Sequence, residues 1–275
     1  MKFVIITDPH FVPEGETLFG LDARANLARA VELINRDHPD IALVILLGDL
    51  TQRGEPAAYA SIAEILAPLK APLVVMTGNH DAREALRAAF PQTDRDPGGF
   101  VQALRLYDDA SILTLDTLDE GGGSSAGYLC AERLAFLEQS LGEAPADRPL
   151  LMFQHHPPLD TGLEALDRIK LKNPEDEWAV IARTRRPDYL FMGHVHRPVT
   201  GLWRGIPFHI QRGVSHQVAF ELEYRDGVPG TYEEPDYVLV EAGPGGVVIH
   251  QRAFNYAGPR FLMGDKAAQR GPRLG

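Results

Sequence analysis

Apolar residues in this chain fall into two alternating spacings through its first two-thirds. Phe3–Thr7 is a buried-strand pattern that ends at Asp8, as for a strand covered on both faces. In Asp22–Asn35, Leu27, Ala30, Val31 and Ile34 recur at three- and four-residue intervals, which predicts an amphipathic helix. Ile41–Leu47 is a second continuous strand, ended by Gly48-Asp49. Glu55–Ala67 is a second helix, with Pro56 in its first turn and Pro68 just past its end. The alternation continues with strands over Pro72–Thr77, Ser111–Leu115, Leu150–Gln154 and Tyr189–Met192. Helices are expected over Ala82–Ala89, Ala131–Leu141 and Trp178–Thr184, and the charged run Asn173–Glu177 reads as a solvated helix start. Past about Arg212 the helical spacing stops, and Val214–Leu222, Tyr237–Glu241 and Val247–Gln251 read as strands and turns. This divides the chain into an α/β core over 1–213 and a β-rich extension over 214–275 that packs on the core and is a candidate oligomerisation element. Lys266–Gly275, rich in Gly, Pro and charge, reads as loose.

Five polar motifs each follow an apolar strand directly: Asp8-Pro9-His10, Gly48-Asp49, Gly78-Asn79-His80-Asp81, His155-His156-Pro157-Pro158 and Gly193-His194-Val195-His196. In open α/β folds the loops at the carboxyl ends of parallel strands converge on the ligand, so five such loops describe one site. Asp8, His10, Asp49, Asn79, His155, His194 and His196 make a ligand set for two cations. Imidazole nitrogen mixed with carboxylate and amide oxygen suits zinc, iron, manganese or cobalt better than calcium. In Asp-x-His and His-x-His, residues two apart point to one side if the chain stays extended. Taken singly the motifs have plain readings: a Gly-Asp turn, an Asn-His-Asp helix cap, a proline-stiffened loop. Six of the ten histidines gathered at strand ends do not.

Composition narrows the substrate. The 275 residues, 44% hydrophobic, bury one substantial core, and the formal net charge of −11 argues against a nucleic-acid polymer as partner. An anionic substrate would then depend on metal ions for positive charge, which points to a small molecule. The apolar N-terminal run is too short for a signal peptide or a membrane span, so no membrane is expected. The single cysteine, Cys130, excludes an internal disulfide and, read as an inert thiol, suits a reducing, cytoplasmic compartment.

The motif set and its order resemble the calcineurin-like metallophosphoesterase family. Within it the chain is similar to bacterial class III cyclic-nucleotide and glycerophosphodiester phosphodiesterases. The similarity runs through Asp8-Pro9-His10-Phe11, Leu18-Phe19-Gly20, Arg53-Gly54-Glu55-Pro56 with Tyr59, His216-Gln217 and Tyr256-Ala257-Gly258-Pro259. The resemblance implies a four-layer α-β-β-α sandwich of two packed mixed sheets flanked by helices. It implies one metal on Asp8, His10, Asp49 and His196, and a second on Asp49, Asn79, His155 and His194, with Asp49 bridging. The ions would be divalent or mixed-valence manganese, iron, zinc or cobalt, about 3.5–4 Å apart, and would lower the pKa of a bound water to about 7, giving a hydroxide nucleophile.

His80 would orient the phosphate or protonate the leaving oxygen. Asp81 and His156 would orient ligands, and Phe19, His216 and Tyr59 are candidates for the substrate pocket. Nothing after Asp49 resembles the tyrosine ligand of purple acid phosphatases, so their charge-transfer colour is not expected. The implied activity is hydrolysis of small phosphodiesters, cyclic nucleotides or glycerophosphodiesters, by a homo-oligomer. The rivals are a same-fold phosphomonoesterase, nucleotide-lipid pyrophosphatase or exonuclease, and a catalytically silent binding scaffold. Thr161–Asp176 is a candidate lid, His38 and His250 read as surface residues, and His209 reads as strand packing.

Overall fold

Strands that are apolar at every position need cover on both faces, and two sheets packed against each other with helices outside provide it. The computed structural model describes residues 1–223, 226–256, 258, 262 and 263; Lys266–Gly275, and Ala257 and Pro259 of the Tyr256–Pro259 motif, lie outside the described residues. In the first sheet β1 (Lys2–Ile6), β2 (Leu43–Leu47) and β3 (Leu73–Met76) run parallel. They are connected by α1 (Ala23–Asp37) and α2 (Pro56–Leu66), and α3 (Arg83–Ala89) follows β3. The second sheet begins with β4 (Ala103–Leu106), antiparallel to β5 (Ser111–Leu115). Its parallel centre is β5, β6 (Leu150–Gln154), β7 (Tyr189–Met192) and β9 (Ile206–Ile210), and β8 (Val199–Trp203) forms the antiparallel edge. Against its outer face lie α4 (Ala131–Glu143), α5 (Glu164–Asp167) and α6 (Pro174–Arg183).

Period-two alternation sorts each strand between layers. Phe3, Ile5, Ile45, Phe153 and Phe191 meet between the sheets, where Phe153 and Phe191 stack at 4.9 Å and Phe3 meets Phe153 edge-on at 6.0 Å. Val4, Ile6, Val44 and Leu46 face the other way, onto Leu27, Ile34 and Ile62 of α1 and α2. Met152, Leu190 and Ile210 face Leu137, Leu141 and Ile181 of α4 and α6. The four-layer α-β-β-α order is therefore present. Capping agrees with the sequence: Asp22 accepts from the Ala25 N–H at 3.0 Å to start α1, and Pro56 sits in the first turn of α2.

Several elements depart from the sequence reading. The expected strand over Val214–Leu222 contracts to β10 (Gln217–Val218), which pairs with β11 (Gly230–Thr231) in a separate ribbon. Edge strands β4 and β8 lack an apolar run because one face meets solvent, and Pro207 interrupts the pattern of β9. Helix α6 starts at Pro174, and Glu177, expected to be solvated, is fully buried. Chain beyond residue 214 supplies β12 (Asp236–Gly243) and β13 (Gly246–Ala253) to the first sheet, giving the order β13-β12-β1-β2-β3. Strand β12 pairs antiparallel with β1, Phe3 opposite Val240, and Val238 and Val240 complete the layer between the sheets. Among the described residues no helix is long and apolar enough to cross a membrane.

Candidate metal centre

The carboxyl ends of β1, β2 and β3 in one sheet and of β6 and β7 in the other deliver all five polar motifs to one rim. Backbone bonds lace the loops together: Asp8 N–H to Gly48 O at 3.1 Å, His10 N–H to Asp49 O at 3.0 Å, and Gly193 N–H to His155 O at 3.2 Å. The expectation that Asp-x-His and His-x-His stay extended is not met. Asp8, His10, Asp49, His194 and His196 all have left-handed backbones, with φ of 53°, 46°, 50°, 68° and 51°. Non-glycine residues adopt such conformations at about 1–3 kcal/mol each, and only where surrounding structure over-determines them. It is tight turns, pinned by these bonds, that aim the side chains. Glycine is required where the loops cross. A Cβ on Gly78 would overlap the Asp49 carboxylate, and one on Gly193 would lie 2.6 Å from Thr7 Oγ1 and 3.1 Å from His155 Nδ1.

Three imidazoles are oriented alike. His10 Nδ1–H donates to Gln52 Oε1 at 2.8 Å, His155 Nδ1–H to Leu47 O at 2.9 Å and His196 Nδ1–H to His216 O at 2.8 Å. Each acceptor fixes the tautomer and leaves Nε2 as a free lone pair, the arrangement used for metal ligation. The Nε2 atoms of His10 and His196 lie 2.9 Å apart, and two lone pairs at that distance require a cation or a proton between them. Asp49 Oδ2 lies 3.5 Å from His10 Nε2 and 3.3 Å from His155 Nε2, while Asp8 Oδ1 lies 3.3 Å from His196 Nε2. His194 Nδ1 and Asn79 Oδ1 meet at 2.9 Å. Asp8 Oδ2, His155 Nε2 and His194 Nε2 are buried with no hydrogen-bond partner. Buried polar atoms without partners are costly, and here they belong to nitrogen and oxygen donors suited to first-row transition metals. The residues present fit divalent ions.

The electrostatics agree. Burial raises the Asp8 and Asp49 carboxyls, but His196 and His155 outweigh it and hold both well below the usual carboxylate range. Burial opposes a charge on His155, yet Asp49 and Asp8 raise it to about 9; burial and His155 together push His194 down to about 3. The two carboxylates thus impose a field that calls for positive charge.

His80 is half-buried, with its ring 4.9 Å from His10, its Nδ1–H donating to Gln52 O at 2.8 Å and its backbone N–H to Asp49 Oδ1 at 2.8 Å. Asp81 accepts from Leu50 N–H at 3.1 Å, Gly78 N–H at 2.9 Å and the Tyr59 hydroxyl at 2.8 Å, clamping the Asp49 loop to the Asn79 loop. Tyr59 is therefore part of the core and of this clamp rather than of the pocket. Both nitrogens of His156 are engaged, Nδ1 with Thr117 Oγ1 at 2.7 Å and Nε2 with Ser125 O at 3.1 Å, and its ring lies 4.8 Å from His194. His216 lies 4.5 Å, ring to ring, from His196, and Phe19 lies 4.8 Å from His216. Residues 161–176 pack onto the core through buried Leu163 and Leu171, and the Leu171 N–H donates to Pro157 O at 3.0 Å.

Away from the rim, His38 is half-buried and bonds Tyr237 Oη at 2.9 Å, His250 is exposed, and His209 is buried in β9. Sequence reasoning missed Gln52, which holds both His10 and His80, and Thr117. Residue type alone carries no such signal, although Gln52 stands only three places beyond Asp49.

Comparison with known proteins accords with this geometry. The family model of the calcineurin-like phosphoesterases matches residues 1–198. A protein of Rhodopseudomonas palustris named a probable cyclic nucleotide phosphodiesterase is 57% identical over 268 residues, 98% of each chain. A glycerophosphodiester phosphodiesterase of Enterobacter lignolyticus is 30% identical over 268 residues, 94% of each chain. Among solved structures, a dimetal phosphatase of Danio rerio shares the fold at 15% identity, with a TM-score of 0.63, over 91% of this chain and 98% of its own. Matched over residues 1–198 and alike across nearly its whole length to a named relative, this chain belongs to the calcineurin-like phosphoesterase family, whose members are metal-dependent phosphoesterases.

Proposed function

We propose that the chain hydrolyses small phosphodiesters to a monoester and an alcohol at a dinuclear metal centre. The observation that carries this reading is the cluster of buried, unpartnered donor atoms from Asp8, His155 and His194, beside the facing Nε2 atoms of His10 and His196. Asp8, His10, Asp49 and His196 would hold one ion; Asp49, Asn79, His155 and His194 would hold the other, with Asp49 shared. Bound there, such ions would supply positive charge toward a phosphoryl group and would acidify a water to about neutrality.

The chain's own residues do the rest. Gln52, Leu47 and His216 present lone pairs by fixing three imidazole tautomers. The Asp81–Tyr59 clamp keeps the Asp49 and Asn79 loops in register. With its Nδ1–H held by Gln52 O, His80 moves a proton through Nε2, delivering it to the leaving oxygen. With its ions bound the site would be positive inside a chain of net charge −11, which favours small anions over a polyanion. Relatives named for cyclic nucleotides and for glycerophosphodiesters support the diester class. A cytoplasmic homo-oligomer, paired through the outer strand β13, completes the reading; light scattering returning a monomer would remove that part.

The test is hydrolysis of bis(p-nitrophenyl) phosphate by chelator-treated protein, with manganese, zinc, cobalt or iron added back. Turnover restored by metal, and absent in Asn79→Ala, is the expected result. No turnover with any metal would reject the diesterase and favour a monoesterase or a binding scaffold.

A further inference from the structure

Next to the candidate metal centre, Phe19, His216, Gln217, Val228, Thr231 and Tyr232 border a cavity of about 340 Å³, within the usual range of small-molecule pockets. His216 joins the two: its ring lies 4.9 Å from His10 on one side and 4.8 Å from Phe19 on the other. Phe19 and Tyr232 are 60% and 74% exposed, so neither ring is spent on the core. Phe19 and Gly20, with φ of 53° and 75°, are the central residues of a tight turn closed by the Leu21 N–H to Leu18 O bond at 2.9 Å, and the turn leaves the Phe19 ring exposed beside the cavity. The Tyr232 hydroxyl donates to Phe19 O at 3.1 Å and ties the two aromatic walls together. The β10–β11 ribbon sets Gln217 opposite Thr231 beneath them.

Among the described residues no carboxylate lines this cavity; the nearby Glu233 is engaged by Arg197 at 3.1 Å and Arg212 at 2.9 Å. A cationic headgroup would be drawn to the two ring faces but would find no carboxylate in the lining to balance its charge. A polyol would need more hydrogen-bonding groups than these walls provide and would leave the aromatic faces uncovered. A flat, neutral, heteroaromatic group suits both the faces and the size.

We propose that this cavity receives the nucleobase of a nucleotide diester, stacked on Phe19 and Tyr232 while its phosphate lies at the metal centre. The inference rests on the phosphodiesterase reading and selects cyclic nucleotides over glycerophosphodiesters within it. It is tested by calorimetric titration of the metal-loaded protein with adenosine monophosphate, ribose 5-phosphate and phosphocholine. The nucleotide is expected to bind at least about tenfold more tightly than ribose 5-phosphate, the scale of one base–aromatic stack. That advantage should vanish in Phe19→Ala and Tyr232→Ala and persist in Tyr232→Phe, which keeps the ring. Equal binding of the nucleotide and ribose 5-phosphate, an advantage surviving both alanine substitutions, or tighter binding of phosphocholine would overturn it. Product binding needs no turnover. A failed diester assay would therefore reject the phosphodiesterase reading while this discrimination was still read out.

Discussion

At the scale of residues, the centre depends on a few atoms whose freedom has been removed. Gly78 is one, because the Asp49 carboxylate occupies the space a Cβ would need. Gly78→Ala should leave the far-ultraviolet circular dichroism intact and lower diester turnover by about 100-fold, the scale of a displacement near 1 Å at a reacting group. Turnover within a factor of about two of the original would show that the loop crossing does not set the ligand geometry. His80 makes a sharper case, since its Nδ1–H is held by a carbonyl and Nε2 is the nitrogen left to face a substrate. If it donates a proton to the leaving oxygen, His80→Ala should slow an alkyl diester by about 10²–10⁴-fold and a p-nitrophenyl diester far less, because p-nitrophenolate leaves without help. Equal losses on the two substrates would assign His80 to phosphate orientation instead.

The elements follow the chain's apolar spacing closely where both faces of a strand are covered. Strands β1, β2, β5, β6 and β7 were legible because their positions are mostly apolar, and α1 because Leu27, Ala30, Val31 and Ile34 share a face. What was not legible depended on contacts between distant segments. Edge strands β4 and β8 read like loops, and the left-handed turns at Asp8, His10 and His194 are imposed by bonds from other loops rather than by residue type. Glu177 is the clearest case. Its neighbours mark a polar helix start, yet its own side chain points inward, and both carboxyl oxygens lack a hydrogen-bond partner. Burial pushes its carboxyl up to about 8, and the neighbouring Gln154 side chain offsets this only in part. Because the folded-state pKa is raised, Glu177 favours folding fully below about pH 4.5, the unfolded value, and that contribution is lost as pH rises through about 8. Denaturant midpoints of the wild type relative to Glu177→Gln should therefore fall across this window, by on the order of 5 kcal/mol in stability. A pH-independent difference would mean that Glu177 is ionised when folded.

For the molecule as a whole, the site exists because two sheets that share a core end at one rim. The first sheet supplies Asp8, His10, Asp49, Asn79 and His80, the second supplies His155, His194 and His196, and the Phe3–Phe153–Phe191 cluster holds them in register. The C-terminal strands belong to this arrangement, since β12 pairs with β1 and buries Val238 and Val240 between the sheets. Removing residues 235–275 should abolish cooperative thermal unfolding, and a truncated chain that still melted as one unit would contradict that role. The decisive measurement is a metal titration of chelator-treated protein in which bound ions per chain and diester turnover are followed together. Two ions are expected in the wild type, with turnover that rises with the second, and one ion with no turnover in Asn79→Ala. Full turnover with a single ion, or an active Asn79→Ala, would contradict the dinuclear reading.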